Sequence, residues 1–361
     1  MENQQLIYSK IDIENILIYI KQSKKFLVVS ENIFLLIKNY LSKSKKLFLE
    51  YLKKYHKKSN SEKIISELDN LLSFEENKKL NYNIKPPSNL KSEFKFSLKN
   101  NYLLLHDNSI NLNDIIGQLF HLSNDYNGDF KTFKVFKRKT KYFLFFNDEI
   151  VGYWDMESIH MLKGKIISIL ICDHHDLAEE DWAGFLHGSM VSKKNKSYLI
   201  IGSSGSGKTS LATQMVKNGY SLICDDTAPL NKNKAFGNFP NALSIKESHT
   251  NILKKHLFSD FLAYSTNTFK GPITYLYPKK QKVVSKFFKC NIILKIKYQD
   301  DCPFRLKNPS RFQILNEFIN DSFIPRNDLS VKAFINWFNH CQFYEIEYSK
   351  SKDLLNFINN I

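Results

Sequence analysis

The stretch SYLIIGSSGSGKTSLATQMVKNGYSLICDD, Ser197–Asp226, decides how the rest of the chain reads. Its centre, Gly202-Ser203-Ser204-Gly205-Ser206-Gly207-Lys208-Thr209, fits G-x-x-x-x-G-K-[ST] without a mismatch. Ahead of it the apolar run Tyr198-Leu199-Ile200-Ile201 predicts a buried strand. Behind it Leu211, Met215 and Val216 fall on one side of a helix, and Gly219 sits where a C-terminal cap belongs. A second apolar run, Ser221-Leu222-Ile223-Cys224, ends on two carboxylates, Asp225 and Asp226. Strand, glycine-rich loop, helix, strand and acidic pair make one βαβ unit built around a triphosphate.

Each part has its own chemistry. The glycines let backbone N–H groups from Gly202 to Ser210 turn onto phosphate oxygens, with the positive end of the helix behind them. Lys208 reaches the β- and γ-phosphates as a point charge. Thr209 offers a hydroxyl to Mg²⁺, and an Asp at a strand end can hold the same ion. ATP and Mg²⁺ are therefore the expected ligands. The competing reading is a Gly/Ser-rich turn between core elements, which leaves the lysine and the acidic pair unexplained.

Working outward, 361 residues with 43% hydrophobic and 14% aromatic content are enough for two or three folded domains. The formal charge of +16 raises nucleic acid as a partner, but the lysines are scattered along the chain. They read as a solvated surface, and no nucleic-acid groove is expected. Five cysteines without a C-x-x-C pair suit a reducing compartment. No apolar run is long enough to span a bilayer and the N-terminus carries no signal-peptide core, so a cytoplasmic protein without membrane contact is expected.

Residues 1–82 read as a small helical module: a strand at Lys25–Val29, then three amphipathic helices through Ile33–Leu41, Leu47–Tyr55 and Ile64–Leu72. This winged-helix-like pattern resembles the PqqD-type peptide-recognition domains. The resemblance implies a leader peptide docked as an added strand on the edge near Phe26–Val29. A plain helical interaction domain fits the same pattern. Lys85-Pro86-Pro87-Ser88-Asn89 is the linker candidate. Residues 92–165 then read as a mixed α/β accessory region without a chemical motif, and 166–361 as the domain holding the loop. Asp173-His174-His175-Asp176 invites a metal reading and is similar to the DHH tripeptide of a phosphoesterase family. None of that family's other carboxylate motifs is present, and the four residues read as a surface turn.

Just before the loop strand stands Trp182-Ala183-Gly184-Phe185-Leu186-His187-Gly188. Here the chain resembles the HPr kinase/phosphorylase family and its broader relatives, in which a His-Gly pair, the phosphate loop and an Asp-Asp pair follow at set distances. His187 lies 21 positions before Lys208 and Asp226 lies 18 after it. The match is good over 185–246. It implies a P-loop kinase domain of the HPr kinase and phosphoenolpyruvate carboxykinase type. It further implies Lys208 on the β/γ-phosphates, Thr209 and Asp225 on the metal, Asp226 as general base towards a substrate hydroxyl, and His187 beside the transferred group. Self-association is also implied, since HPr kinases form hexamers. Phe239–Lys246 and Tyr275–Pro278 are similar to later stretches of the same relatives, with Lys246 a contact for phosphate or an acidic acceptor.

Some residues depart from the family pattern. Ser210 stands where HPr kinases carry a Glu, and Thr268-Phe269-Lys270-Gly271 keeps the glycine but not the metal-binding Glu of their signature. Neither the reverse reaction nor HPr itself as acceptor is therefore expected. Arg305, Arg311 and Arg326 are the candidates for the catalytic arginine. The expected activity is transfer of the ATP γ-phosphoryl group to a Ser or Thr hydroxyl of a peptide or small protein, including a ribosomally made precursor peptide. A small-molecule kinase on the same fold and an ATP-dependent regulatory switch are the alternatives.

Overall fold

The computed structural model describes residues 5–54, 57–73, 84–90, 92–123, 128–246, 259–269, 271–281 and 286–361. The expectations for Tyr55 and Lys270, and the boundary at residue 82, lie outside them. The architecture is mixed α/β, with nine α-helices and five sheets among the described residues.

The first sheet is an antiparallel meander of β1 (Leu6–Lys10), β2 (Asn15–Ile20) and β3 (Lys25–Ser30). Helices α1 (Glu31–Ser42), α2 (Lys45–Lys53) and α3 (Lys58–Leu72) follow. The sequence pattern predicts only the third strand, so the module is not purely helical. The first turn could have been read: Asp12 Oδ1 accepts from the backbone N–H groups of Glu14 and Asn15, an Asx turn. Alternation then sorts β2. Ile16, Ile18 and Ile20 pack with the helices, while Leu17 and Tyr19 join the main core. Tyr19 Oη donates to Arg326 O at 2.8 Å.

A five-stranded sheet follows, ordered β4 (Ser92–Ser97), β5 (Asn101–His106), β6 (Lys131–Arg138), β7 (Lys141–Phe146) and β8 (Glu149–Asp155). Helix α4 (Leu112–Ile116) lies between β5 and β6. Ile84 and Leu90, at the two ends of the expected linker, pack on Phe136, Phe143 and Phe145 of this sheet. Helix α5 (Ile159–His175) buries Leu162, Ile166, Ile167, Leu170 and Ile171, and runs unbroken across the boundary expected at 165/166.

The remaining elements in chain order are β9 (Trp182–Leu186), β10 (Ser189–Lys193), β11 (Lys196–Ile201), α6 (Lys208–Lys217), β12 (Ser221–Cys224), β13 (Ala228–Asn231), β14 (Ala235–Gly237), β15 (Leu243–Lys246), β16 (Phe261–Thr268), β17 (Gly271–Pro278), β18 (Phe287–Lys289), β19 (Ile292–Tyr298), β20 (Arg305–Lys307), α7 (Arg311–Asp321), α8 (Asp328–Asn339), β21 (Gln342–Tyr348) and α9 (Ser351–Asn360). The central sheet runs β12-β10-β11-β19-β21-β20. Strands β11, β19 and β21 are parallel. Strand β10 is antiparallel to both β11 and β12 and separates them. The predicted βαβ unit is therefore not one of neighbouring strands: α6 crosses over a strand that precedes the loop in sequence. Tyr198 and Ile200 pack with α6 and α9, and Leu199 and Ile201 point the other way into the main core. A sheet buried on both faces explains why these strands read as unbroken apolar runs.

Candidate functional site

The glycine-rich loop leaves the end of β11 and enters α6. Gly202 and Gly207 have φ of 144° and 95°, a region that side chains rarely adopt. A Cβ on Gly202 would meet Ile296 O at 2.6 Å and Ser206 Oγ at 2.7 Å, and one on Gly207 would meet Tyr348 Oη at 3.2 Å. The loop is thus pressed against the ends of β19 and β21, and Tyr298 N donates to Ser206 O at 3.0 Å. Lys208 Nζ donates to the carbonyl oxygens of Gly202 at 2.7 Å and Ser203 at 3.2 Å. Burial lowers its pKa, while Asp226 and Asp225 pull the other way. Helix α6 ends as expected: Gly219 has φ 83° and Tyr220 N donates to Met215 O at 3.1 Å.

The two carboxylates diverge because the chain turns sharply between them. Thr227 N donates to Asp225 O at 2.7 Å, and Asp226, the residue between, has φ 67°. An i→i+2 bond around a positive φ is the strained form of γ-turn. It sends Asp225 into the protein, where it is 1% exposed, and Asp226 into a cleft, 41% exposed at its side chain.

The buried carboxylate of Asp225 accepts from Ser189 Oγ, from Ser244 N at 3.1 Å and from Thr209 Oγ1 at 3.3 Å to each oxygen. Its backbone is clamped by Asn241, whose Oδ1 accepts from Asp225 N at 2.9 Å and whose Nδ2 donates to Asp225 O. Burial, aided by the charge of Asp226, pushes the carboxyl up to about 6 against the bonds from Ser189, Ser244 and Thr209.

His187, in the turn between β9 and β10, points its Nδ1 at Asp226, 3.1 Å from the carbonyl oxygen and 3.4 Å from Oδ1. Because a carbonyl only accepts, Nδ1 carries the hydrogen. The other carboxylate oxygen, Oδ2, lies 3.4 Å from Lys163 Nζ on α5. Sequence reasoning missed Lys163. One lysine on an apolar helix in a lysine-rich chain carries no motif, and only the packing of α5 against β7 and β8 in the folded chain brings it here.

These groups open onto one cleft of about 870 Å³. Ser204, Gly205, Gly207, Lys208, Thr209, Ser210, Asp225, Asp226 and His187 line it. Gly202, Ser203 and Ser206 do not, and form the base of the loop. Trp154 and Met161 contribute from the accessory region, Lys246 and Phe269 from the β15–β17 sheet, and Phe323 from the segment after α7. The three candidate arginines lie elsewhere. Arg311 stacks on Phe338 and Phe343, Arg326 stacks on Phe26 and donates to Lys24 O, and Arg305 sits on the outermost strand.

Asp173-His174-His175-Asp176 is not the surface turn expected. Asp173 to His175 form the last turn of α5, with both histidines buried. Asp173 accepts from Lys131, Tyr102 and Asn100 of the accessory region. His175 Nε2 donates to Asn238 O at 2.8 Å. The motif anchors a helix.

Thr209 Oγ1 and the Asp225 carboxylate are hard oxygen donors facing each other across the mouth of the loop. They fit Mg²⁺, which takes one or two protein oxygens and fills its octahedron from water and phosphate. Among the described residues no group of three or more His, Cys, Asp or Glu converges.

No family model matches the sequence, and no curated protein does. Among solved structures, that of the HPr(Ser) kinase/phosphatase from Coxiella burnetii is similar at 12% identity and a TM-score of 0.22, over 48% of this chain and 90% of that one. A likeness so distant does not bear on activity, substrate or partner. No helix among the described residues is long and apolar enough to cross a membrane.

Proposed function

We propose that this chain is an ATP- and Mg²⁺-dependent kinase that transfers the γ-phosphoryl group to a Ser or Thr hydroxyl of a peptide or small protein. The carrying observation is the division of the acidic pair by the γ-turn: Asp225 is buried against Thr209, and Asp226 stands in the cleft beside His187. In the proposal one carboxylate takes the metal and the next takes a proton.

In this reading the loop and Lys208 hold the triphosphate. Mg²⁺ on Thr209 and Asp225 would neutralise phosphate charge. The acceptor oxygen bonds to the γ-phosphorus as the bond to the β–γ bridging oxygen breaks. Asp226 takes the hydroxyl proton, and ADP leaves with the bonding pair. Among the described residues strand β3 pairs on one side only, which supports docking of an acceptor peptide by strand addition on its other edge.

The test is incubation with Mg²⁺ and γ-labelled ATP, together with peptides encoded beside the gene; α-labelled ATP serves as control. Label from the γ-position on a Ser or Thr is expected. Label from the α-position, or release of phosphate with no acceptor labelled, would contradict the reading.

A further inference from the structure

Phosphoryl transfer needs positive charge on the transferring group beyond the loop lysine and the metal, and many enzymes supply it with an arginine. This chain has four arginines, at 138, 305, 311 and 326, and none lines the cleft. Arg311 and Arg326 are held by ring stacking and backbone carbonyls. Among the described residues, the lysines of the cleft are Lys163, Lys165, Lys208 and Lys246. Lys165 is paired with Glu179, Lys208 belongs to the loop, and Lys246 is exposed at the end of β15.

We propose that Lys163 takes the place of the absent arginine, resting its ammonium on Asp226 and placing positive charge against the transferring phosphoryl group. The proposal builds on the kinase reading above. Lys163 Nζ stands 3.4 Å from Asp226 Oδ2, while His187 faces Oδ1 of the same carboxylate. An acceptor hydroxyl bonded to Asp226 and in line with a γ-phosphate on Lys208 brings that phosphate within reach of Lys163. The ammonium stays protonated throughout and exchanges no atom with the substrate.

Lys163 is also held in place before any ligand arrives. Its helix buries Leu162, Ile166 and Ile167 on either side of it. The far end is fastened by Asp173 to Lys131 and Tyr102, and by His175 to Asn238. Such preorganisation lets a charge act without reorganising at the moment of reaction. It also gives the accessory region a purpose, as the support of the helix that carries this charge.

Aluminium fluoride with MgADP mimics the transferring group and needs no known acceptor. Dissociation constants for MgADP, with and without aluminium fluoride, are compared in wild type, Lys163→Met and Lys163→Arg. Wild type is expected to gain at least about tenfold in affinity on adding fluoride, in line with transition-state complementarity. Lys163→Met should lose most of that gain with MgADP affinity alone unchanged, and Lys163→Arg should keep it. An equal gain in Lys163→Met overturns the proposal while leaving the nucleotide site intact, as does a wild type that binds MgADP but gains nothing from fluoride. A wild type that binds no MgADP overturns the kinase reading itself.

Discussion

Thr209 Oγ1 stands 3.3 Å from both carboxylate oxygens of Asp225, joining the first turn of α6 to the end of β12. A fully buried carboxylate supported by hydroxyls and one backbone N–H is costly to keep ionised, and its consequences can be measured.

Burial holds the Asp225 carboxyl at about 6 in the folded protein, above its ordinary value of 3.8. The folded state therefore binds an extra proton between these values. This component of stability is fully present below about pH 4 and is lost as pH rises through about 6. Asp225→Asn removes the ionised form. It is predicted to unfold at higher urea than wild type at pH 8, by at most about 3 kcal/mol, with the difference shrinking towards pH 5. Chemical denaturation at the two pH values checks this; a variant less stable than wild type at pH 8 would count against it. Adding Mg²⁺ should also raise the melting temperature of ATP-loaded wild type more than that of the ATP-loaded variant.

Gly202 has no room for a side chain. Alanine there must shift Ile296 O, which lies 2.6 Å from the added carbon, and must adopt a φ of 144°. Gly202→Ala is predicted to cost about 1–3 kcal/mol and to weaken ATP binding by more than tenfold, read by thermal melting and calorimetric titration. Native-like affinity would show that the loop is not built as described.

Asp173 is the fastening of α5. Burial pushes its carboxyl up, but the bonds from Lys131, Tyr102 and Asn100 outweigh this and hold it below the usual carboxylate range. Asp173→Ala leaves the buried Tyr102 hydroxyl without that acceptor and is predicted to cost about 1–3 kcal/mol. Equilibrium unfolding measures the loss. The same variant should lower turnover more than ATP affinity, because Lys163 rides on the loosened helix.

What the sequence made legible was local. The loop strand, α6, Gly219 and the acidic pair are all set by neighbours a few positions away, and the structure places them as expected. Strands β6, β7 and β8 are legible in the same local way, in the apolar runs Phe133–Phe136, Tyr142–Phe146 and Ile150–Trp154 and the Asn147-Asp148 turn. Longer-range relationships were not legible. The insertion of β10 between β11 and β12 is a matter of pairing, which apolar runs do not encode. Strands β1 and β2 were missed because Leu6–Lys10 and Asn15–Ile20 are short and flank a turn with neither glycine nor proline. The Asp173–Asp176 run looked solvated by composition, yet its two acids and His175 find partners in elements distant in sequence. Lys163 differs from its neighbours only by where α5 is packed.

Lys208 is predicted to be separable from folding. Lys208→Ala removes an ammonium that donates to two loop carbonyls and should leave the melting temperature near that of wild type, while weakening ATP binding at least tenfold. Calorimetric titration with MgATP decides it, and unchanged affinity would contradict the loop's assignment to phosphate.

The central claim is that Asp226 takes the proton of the acceptor hydroxyl, and Asp226→Asn tests it most directly. The amide keeps the shape of the side chain but cannot serve as base. Single-turnover transfer from γ-labelled ATP to the labelled acceptor is measured beside MgATP affinity for both proteins. The account predicts affinity within a few-fold of wild type and transfer slowed by about 10²- to 10⁴-fold. Transfer at the wild-type rate in Asp226→Asn would contradict it.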